Sequence, residues 1–261
     1  MKLISLNTWG GKMFNPLMDF IRKHSEDTDI FCFQEIYKTS SNFTNYHDIR
    51  VNLFSELTKM LPGFQSFYSV EITGFDSCPD LVDFDLAVGK AVFIRKNIKI
   101  ISKSEILISG NKTENNLKKD FSNLPITLQI VELNINKKPL TIYNVHGTSF
   151  PGSKLDTPTR LKQSSYILNF LQNKPGEKII TGDFNLMPHI QSIEMLEEKY
   201  RNLIKEFNIE KTRSNLSPYA GKSDFQKFAD YTFVSKNINV TNFEVPDLEI
   251  SDHLPMILEF S

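Results

Sequence analysis

Short apolar runs of strand length recur along the whole chain, and amphipathic segments with helical spacing lie between them. Each run must bury at least one face against another layer, which limits the chain to a few layered architectures. The predicted strands are Leu3–Asn7, Asp29–Glu35, Gln65–Ile72, Lys90–Arg95, Ile98–Ile108, Ile126–Ile135, Leu140–His146, Lys178–Thr181, Ala229–Ser235 and Leu254–Phe260. The predicted helices are Pro16–Lys23, Tyr46–Met60 and Thr159–Leu171. Because strands outnumber helices and adjacent strands often pair as hairpins, we predict an α+β fold with largely antiparallel sheets and helices outside them.

Local patterns also indicate how some strands are placed. Asp29–Glu35 is apolar on both faces and is expected at the centre of a sheet. Ile126–Ile135 and Leu140–His146 are predicted to form a hairpin across Asn136-Lys137-Lys138. The three strands between residues 65 and 108 are predicted to be neighbours with tight connections. No repeat and no Pro/Gly/Ser-rich linker divides the chain, so residues 1–261 are predicted to form one domain.

The charge balance excludes one class of protein. Lys plus Arg number 30 and Asp plus Glu number 31, which argues against a tight, sequence-independent DNA binder. A local basic groove still leaves nucleic acid open as a substrate. The two cysteines, Cys32 and Cys78, are too few for a disulfide framework or a zinc site of their own. Without a signal peptide or an apolar stretch of membrane length, we predict a cytoplasmic protein, and nothing in the sequence indicates its oligomeric state.

Polar side chains stand where several of the predicted strands stop. A carboxylate or imidazole beside apolar strand residues is costly unless it is paired, hydrogen-bonded or metal-bound. One such residue could be a satisfied core group, but five positions are better explained by one cleft at a common edge of the sheets. They are Asn7, Glu35, His146, Asp183 with Asn185 two residues later, and the pair Asp252-His253 before the last strand.

These residue types fit phosphoryl transfer assisted by a magnesium ion. Mg²⁺ prefers oxygen ligands and uses one or two protein carboxylates together with water and phosphate oxygens. Histidine suits general-base work or charge stabilisation because its ordinary pKa is close to neutrality. The sequence has no Gly-x-Ser-x-Gly, Walker A, Gly-x-Gly-x-x-Gly or His-Glu-x-x-His motif, so the other hydrolase and nucleotide-binding chemistries lack support.

Six short motifs resemble, in order, those of the endonuclease/exonuclease/phosphatase superfamily, and they span nearly the whole chain. Gly-Asp-x-Asn with Ser-Asp-His, preceded by Gln-Glu, is a specific combination. This is the fold of pancreatic deoxyribonuclease, apurinic endonucleases, inositol-polyphosphate phosphatases, sphingomyelinases and deadenylases. The motifs are Leu6-Asn7-Thr8-Trp9-Gly10, Phe33-Gln34-Glu35, Asn144-Val145-His146, Gly182-Asp183-Phe184-Asn185, Ala229-Asp230-Tyr231 and Ser251-Asp252-His253-Leu254-Pro255.

The resemblance implies a four-layer sandwich in which two mixed, mainly antiparallel sheets pack face to face and are flanked by helices. It implies a site at one edge that binds Mg²⁺, with Mn²⁺ as a substitute. Glu35 is then a metal ligand, Asn7 a ligand or phosphate contact, and Asp252 a residue close to the metal.

The same resemblance implies five catalytic residues. Asp183 orients the attacking water with help from Asn185, and His253 acts as general base or stabilises the phosphate charge. His146 takes the place where other members use His or Tyr on the scissile phosphate. Asp230 holds the imidazole of His253, although a purely structural cap is the alternative for this residue.

The first motif, Asn7-Thr8-Trp9-Gly10, is more similar to those of sphingomyelinases than to those of apurinic endonucleases, which puts abasic-site cleavage in doubt. We therefore expect the chain to hydrolyse a phosphodiester that is small, lipid-derived or part of a nucleic acid. The alternatives are an endo- or exonuclease on DNA or RNA and an inositide-type phosphomonoesterase. A catalytically inactive binding module is disfavoured because every polar motif residue is present.

The loops 73–89 and 147–159 are expected to rim the cleft. They carry five aspartates against one cation, Lys154, so an acidic rim that disfavours duplex DNA is predicted. Arg160 is left out of the site, since a solvated arginine at a helix start is at least as well supported as the alternative, a contact with a substrate phosphate. Lys90 and Arg95 are expected at the surface. The five aspartates are Asp76, Asp80, Asp83, Asp85 and Asp156.

Overall fold

The computed structural model, which describes residues 1–76, 80–110, 124–222 and 226–261, contains two six-stranded sheets and a separate two-stranded hairpin. Across the first sheet the strands are β13 (Val240–Glu244), β14 (Met256–Phe260), β1 (Lys2–Asn7), β2 (Ile30–Lys38), β6 (Ala87–Arg95) and β5 (Phe64–Thr73). Across the second they are β11 (Arg201–Asn202), β12 (Asp230–Val234), β10 (Glu177–Asp183), β9 (Lys138–His146), β8 (Ile126–Ile135) and β7 (Lys99–Ser109). The hairpin is β3 (Asn45–Tyr46) and β4 (Ile49–Arg50).

Five helices accompany the sheets in the described ranges: α1 (Phe14–His24), α2 (Leu53–Met60), α3 (Pro158–Gln172), α4 (Gln191–Glu197) and α5 (Leu203–Glu206). Strand β2 shows why both of its faces are apolar. Phe31 and Phe33 share a buried cluster with Leu17 of α1, whereas Cys32 points the other way and shares a cluster with Ile142 and Ile179 of the second sheet. The predicted α+β sandwich of two sheets packed face to face and flanked by helices is confirmed.

Each sheet contains one parallel pair among antiparallel neighbours. In the first sheet β1 runs parallel to β2, and in the second β9 runs parallel to β10. The carboxyl ends of parallel strands meet at the same edge of a sheet, so Asn7 lies beside Gln34 and His146 beside Asp183. These two pairs and the segment before β14 bring together the five polar positions that the sequence predicts for one cleft.

Buried amides connect the two sheets. Gln34 donates to Asn144 Oδ1 at 2.6 Å, and Asn144 donates to Gln129 Oε1 at 2.9 Å. Gln129 in turn donates to the carbonyl of Phe67, 2.8 Å away in the first sheet. All three amide side chains are fully buried, and these bonds replace water for every amide atom except Gln34 Oε1, which has no partner among the described residues.

Gly182 lets the second parallel pair approach the first sheet. Its φ is +133°, and a Cβ placed there would lie 2.1 Å from the carbonyl oxygen of Val145 and 3.1 Å from Nε2 of Gln34. Only glycine fits such a close backbone approach. The glycine before Asp183 is therefore a packing requirement of the strand that carries the aspartate.

The prediction of a helix over Tyr46–Met60 is wrong in its first half. His47 has φ +50° and turns the chain between β3 and β4, and α2 begins only at Leu53. Ile49 does not extend the helical face, because it packs with Tyr37 and Leu86 in a separate buried cluster. The apolar spacing that predicted a continuous helix is thus shared between two different packing surfaces.

Three further expectations fail or fall outside the described part of the chain. Strand β7 is not a neighbour of β6, because it pairs with β8 in the other sheet. Lys90 is fully buried rather than at the surface, and Arg95 is half-buried with its guanidinium on the carbonyls of Ser25 and Thr28. Cys78 lies outside the described residues.

Over the described ranges, no helix combines the length and apolar character needed to cross a membrane.

Candidate active site

A cavity of about 370 Å³ opens at the edge where both parallel pairs end. Six of the eight predicted site residues line it: Glu35, His146, Asp183, Asn185, Asp252 and His253. The other two, Asn7 and Asp230, are buried directly behind this lining and hydrogen-bond to it. The structure therefore brings all eight predicted residues into one constellation.

His253 lies between two carboxylates. Its Nδ1 donates to Asp230, with the carboxylate oxygens at 2.8 and 3.0 Å, and its Nε2 lies 3.6 Å from Asp183 Oδ2. Burial alone lowers the pKa of His253, but the charge of Asp230, aided by Asp252 and Asp183, raises it to about 9. The imidazole is thus held in one orientation, with Nε2 directed at the cavity wall that Asp183 forms.

Asn7 joins the two halves of the site. Its Nδ2 donates to Glu35 Oε1 and to Asp183 Oδ2, both at 3.0 Å, and its Oδ1 accepts the backbone N–H of Trp9 at 3.0 Å. Two carboxylates on one side and an N–H on the other leave a single orientation of the amide that satisfies every group. Asn7 therefore presents a donor, rather than an oxygen, to the acidic residues.

Three residues of the site region have left-handed backbone conformations. The φ values are +51° for Trp9, +55° for Glu35 and +56° for Asn185. Residues other than glycine adopt this region at a cost, and such residues concentrate at functional sites. At Glu35 the pairing of β2 with β6 shifts between Phe33 and Ile36, and β2 then continues to Lys38, three residues beyond the predicted end. The irregularity turns the Glu35 carboxylate into the cavity.

His146 is held by a carboxylate that the sequence prediction missed. Its Nδ1 donates to Glu71 Oε2 at 2.9 Å, and Glu71 also pairs with the buried Lys90. Burial lowers the pKa of His146, but the charge and hydrogen bond of Glu71, with Asp183 and Glu35, raise it to about 9. The sequence did contain a signal, because Glu71 in β5 and Lys90 in β6 interrupt the apolar residues of two adjacent strands.

Two buried cations in the cavity wall, Lys154 and Arg213, were not predicted as site residues. Lys154 is 6% exposed, and its ammonium donates to Asn185 Oδ1 and to the carbonyl of Ser149. Arg213 is 4% exposed, and its Nη1 lies 3.4 Å from Asp252 Oδ2. Arg213 comes from a stretch without strand or helix periodicity, so no sequence pattern marks it.

The predicted acidic rim is wrong. Among the described residues that line the cavity, Asp76 is the only one of the five aspartates, whereas Lys12, Lys154 and Arg213 supply positive charge. Asp85 instead accepts bonds from Thr39 and Ser40, and Asp156 accepts the backbone N–H groups of Gln191 and Ser192 at the start of α4. These aspartates stabilise local turns and a helix terminus.

Arg160 is neither solvated nor in contact with the cavity. It is fully buried, and its guanidinium donates to the carbonyls of Leu155 at 2.7 Å and Pro151 at 2.6 Å, with longer bonds to those of Ser149 and Thr148. These carbonyls belong to the loop that carries Lys154. Arg160 therefore fixes the loop that places Lys154 in the cavity wall.

Replacing Arg160 with leucine is expected to lower the free energy of unfolding by at least about 2 kcal/mol, because buried carbonyls lose their donors. Chemical denaturation measures this change. Lys162→Leu, an exposed position two residues along the same helix, is the matched control and is expected to change stability little. Equal stability of the Arg160 and Lys162 variants would show that the carbonyls do not depend on the guanidinium.

The acidic and histidine groups are also spaced for metal binding. Asp183, Asp230 and His253 each offer one ligand atom, and these atoms lie within 4.8 Å of one another. A buried group of this composition could hold a metal ion. Glu35 and Asp252 add two further carboxylates that face the same cavity.

Comparison with known proteins identifies a family. The model of the Endonuclease/Exonuclease/phosphatase family matches residues 4–253. No curated protein matches the chain. The similar solved structures include an endonuclease/exonuclease/phosphatase family protein from Leptotrichia buccalis, which has a TM-score of 0.70 and 20% identity and covers 100% of this chain and 99% of its own.

Two other similar structures come from different organisms. A mannosyl-6-phosphatase from Bacteroides thetaiotaomicron has a TM-score of 0.70 and 18% identity, covering 100% of this chain and 99% of its own. The human Nocturnin catalytic domain, with a bound sulfate anion, has a TM-score of 0.66 and 17% identity, covering 100% of this chain and 93% of its own. At such identities the likeness shows the fold. The family match over nearly the whole chain shows more: the chain belongs to the Endonuclease/Exonuclease/phosphatase family, whose members typically hydrolyse phosphate esters.

Proposed function

We propose that the protein is a magnesium-dependent phosphoesterase that hydrolyses a phosphodiester by direct attack of water. The observation that carries this proposal is one unbroken series of contacts at the cavity, from Asp230 through His253, Asp183 and Asn7 to Glu35. The series combines an oriented imidazole, a carboxylate beside it and a second carboxylate open to the cavity. Phosphoryl transfer needs these functions, since its catalysis consists mainly of positioning and charge stabilisation.

The donor set fits a magnesium ion near Glu35 and Asp252. The Glu35 side chain is about one-third exposed on the cavity, and its Oε1 is the carboxylate oxygen that accepts the Asn7 amide. Asp230 fits a metal less well, because both of its oxygens lie on Nδ1 of His253. Mg²⁺ bound by Glu35, with Asp252 nearby, would supply a Lewis acid that polarises the phosphoryl oxygen. Mn²⁺ is expected to substitute.

Asp183 is assigned to the attacking water. The Asn185 backbone N–H fixes its Oδ1 at 2.8 Å, and Oδ2 faces His253 and the Asn7 amide. The water oxygen forms the new bond to phosphorus, its proton passes to Asp183, and the ester P–O bond breaks with solvent protonating the leaving oxygen. Asn7, which presents its amide nitrogen, is assigned to position the two carboxylates rather than to bind the metal.

Both histidines place Nε2 near Oδ2 of Asp183, where this proposal puts the phosphate. The Nε2 atom of His146 lies 4.0 Å from Asp183 Oδ2, comparable with the 3.6 Å of His253. Each imidazole is held at Nδ1 by its own carboxylate, Glu71 or Asp230. Both Nε2–H groups are therefore oriented to donate to phosphoryl oxygens while negative charge develops there.

A phosphomonoester is the second candidate. The buried cations Lys154 and Arg213 favour a dianionic phosphate, and a sugar phosphatase is among the similar structures. The diester remains our first choice, because the cavity rim carries Trp9, Tyr219 and Pro218, against which a second ester group can pack. The acidic rim predicted from the sequence was a further reason for a small diester, but the described residues that line the cavity do not form that rim.

The substrate class is tested by comparing kcat/KM on bis-(p-nitrophenyl) phosphate, p-nitrophenyl phosphate and a supercoiled plasmid at two salt concentrations. We expect the diester to be hydrolysed faster than the monoester, with a chelated sample as the blank. Faster monoester hydrolysis would support the second candidate. Rapid plasmid nicking with a steep salt dependence would support a nuclease, and no turnover of any ester would support a binding module.

A further inference from the structure

Arg213 and Lys154 are buried in the cavity wall without full neutralisation. The contact of Arg213 with Asp252 is long, at 3.4 Å, and its Nε has no partner among the described residues. Lys154 donates only to the neutral oxygens of Asn185 and Ser149, within the part of the chain that the structure describes. A buried cation is stabilised by a paired anion, so this wall favours a ligand that carries negative charge.

The two cations also lie close enough to affect each other. Burial lowers the pKa of Lys154 to about 8, against the charge of Asp183 and with that of Arg213. The fold brings them there from separate loops. Arg213 pairs its backbone with His253, and Lys154 is tied to Asn185 two residues after Asp183. They therefore flank the contact between His253 and Asp183, where the proposed function places the phosphate.

We propose that Arg213 and Lys154 bind the non-bridging oxygens of the substrate phosphate. This inference rests on the proposed function and adds that the phosphate is recognised by protein cations as well as by the metal. A guanidinium presents its donors as a planar fork that matches two phosphate oxygens, and an ammonium adds a point charge that rotates freely. The unpaired Nε of Arg213 and the neutral partners of Lys154 leave this charge for the ligand.

The competing explanation is structural. Arg213 would then only balance the charge of Asp252, and Lys154 would only hold Asn185 in place. Under that explanation their removal changes metal affinity or stability. It does not change the affinity for phosphate once the metal site is saturated.

Calorimetric titration of the full chain with inorganic phosphate at saturating Mg²⁺ separates the two explanations. We expect Arg213→Gln and Lys154→Met each to raise the phosphate Kd by at least about 10-fold, the size of a lost charge-assisted hydrogen bond. Arg213→Lys should recover part of the affinity. The matched control is Lys211→Gln, which removes a partly exposed lysine paired with Asp247, two residues from Arg213, and should leave the Kd unchanged.

Two results would overturn the inference: wild-type protein that does not bind phosphate at millimolar concentration, or folded variants with wild-type phosphate Kd. If Arg213→Gln does not fold, Lys154→Met decides the question. Failure of the proposed function is recognised separately, as wild-type protein that binds phosphate through both cations yet hydrolyses no ester.

Discussion

Asp183→Asn and His253→Ala are each expected to lower kcat by at least about 10²-fold, the lower end of what a positioned acid–base group contributes. Asp183→Asn removes the carboxylate that would take the water proton but keeps the shape of the side chain. His253→Ala removes the Nε2–H donor that faces Asp183 at 3.6 Å. Initial rates on the best ester substrate, at saturating substrate and Mg²⁺, measure both losses.

The two variants differ in what they do to stability. His253→Ala leaves the carboxylate of Asp230 buried without its partner, so a fall in Tm is expected along with the loss of turnover. Asp183→Asn is therefore the cleaner test of chemistry. His189→Ala, an exposed histidine outside the site, is the control for both. Near-wild-type turnover in either variant would remove that residue from the mechanism.

Removal of divalent metal is expected to abolish hydrolysis, and added Mg²⁺ or Mn²⁺ is expected to restore it. Glu35→Ala should lose most metal-supported activity, because the lost carboxylate leaves the ion too weakly held. A rise in the Mg²⁺ concentration needed for half-maximal rate would identify the defect as metal binding. Metal titrations of the rate on wild-type and variant protein give this value directly.

Glu198→Ala is the control for this experiment, since Glu198 is an exposed carboxylate on the surface beyond α4. Its metal dependence should match that of the wild type. Full activity in chelator after exhaustive dialysis would show that the reaction does not use a divalent ion. Wild-type metal dependence in Glu35→Ala would place the ion elsewhere, with the buried group Asp183, Asp230 and His253 as the next position to test.

The constellation could be predicted from sequence because its members interrupt apolar strands at their ends. Asn7, Glu35, His146 and Asp183 each follow such a run, and the parallel pairing of β1 with β2 and of β9 with β10 brings them together, although β2 continues past Glu35 to Lys38. A polar residue in that position is costly unless it is paired, hydrogen-bonded or metal-bound, and a cleft can meet this need. Strand ends are local features of the sequence, so this prediction did not require the topology.

The partners of the constellation needed the three-dimensional structure. Arg213 lies in a segment without periodicity, and its neighbour Asp252 is 39 residues away. Glu71 and His146 are 75 residues apart and come from different sheets. A charged residue within an apolar strand, such as Glu71, can be noticed in the sequence, but local spacing does not indicate which distant residue it pairs with. Asp230, which holds His253, was predicted through the resemblance, whereas Glu71 and Arg213, which lie against His146 and Asp252, were not.

Arg160 shows the same limit for loops. At the first turn of a helix, an arginine is expected in solvent, and nothing in the spacing distinguishes it from Lys162. Its burial depends on how residues 148–155 fold back over the start of α3, where their carbonyls need donors. A loop without secondary structure of its own has no periodic signal. The side chain that organises it becomes apparent only when the hydrogen bonds of its carbonyls are assigned.

The amide series from Gln34 through Asn144 to Gln129 has a consequence for the alignment of the two sheets. An apolar interface tolerates sliding, because one methyl group can replace another, whereas a buried amide that loses its partner costs free energy. A shift of one sheet by two residues, about 6.6 Å, would break two bonds that cross between the sheets, from Gln34 to Asn144 and from Gln129 to the carbonyl of Phe67. The bond between Asn144 and Gln129 lies within the second sheet and would remain. Gln34 precedes Glu35, and Asn144 stands two residues before His146. The bonds between the sheets fix the position of one sheet along the other. They thereby also set the spacing between the Glu35 carboxylate of the first sheet and the His146 imidazole of the second.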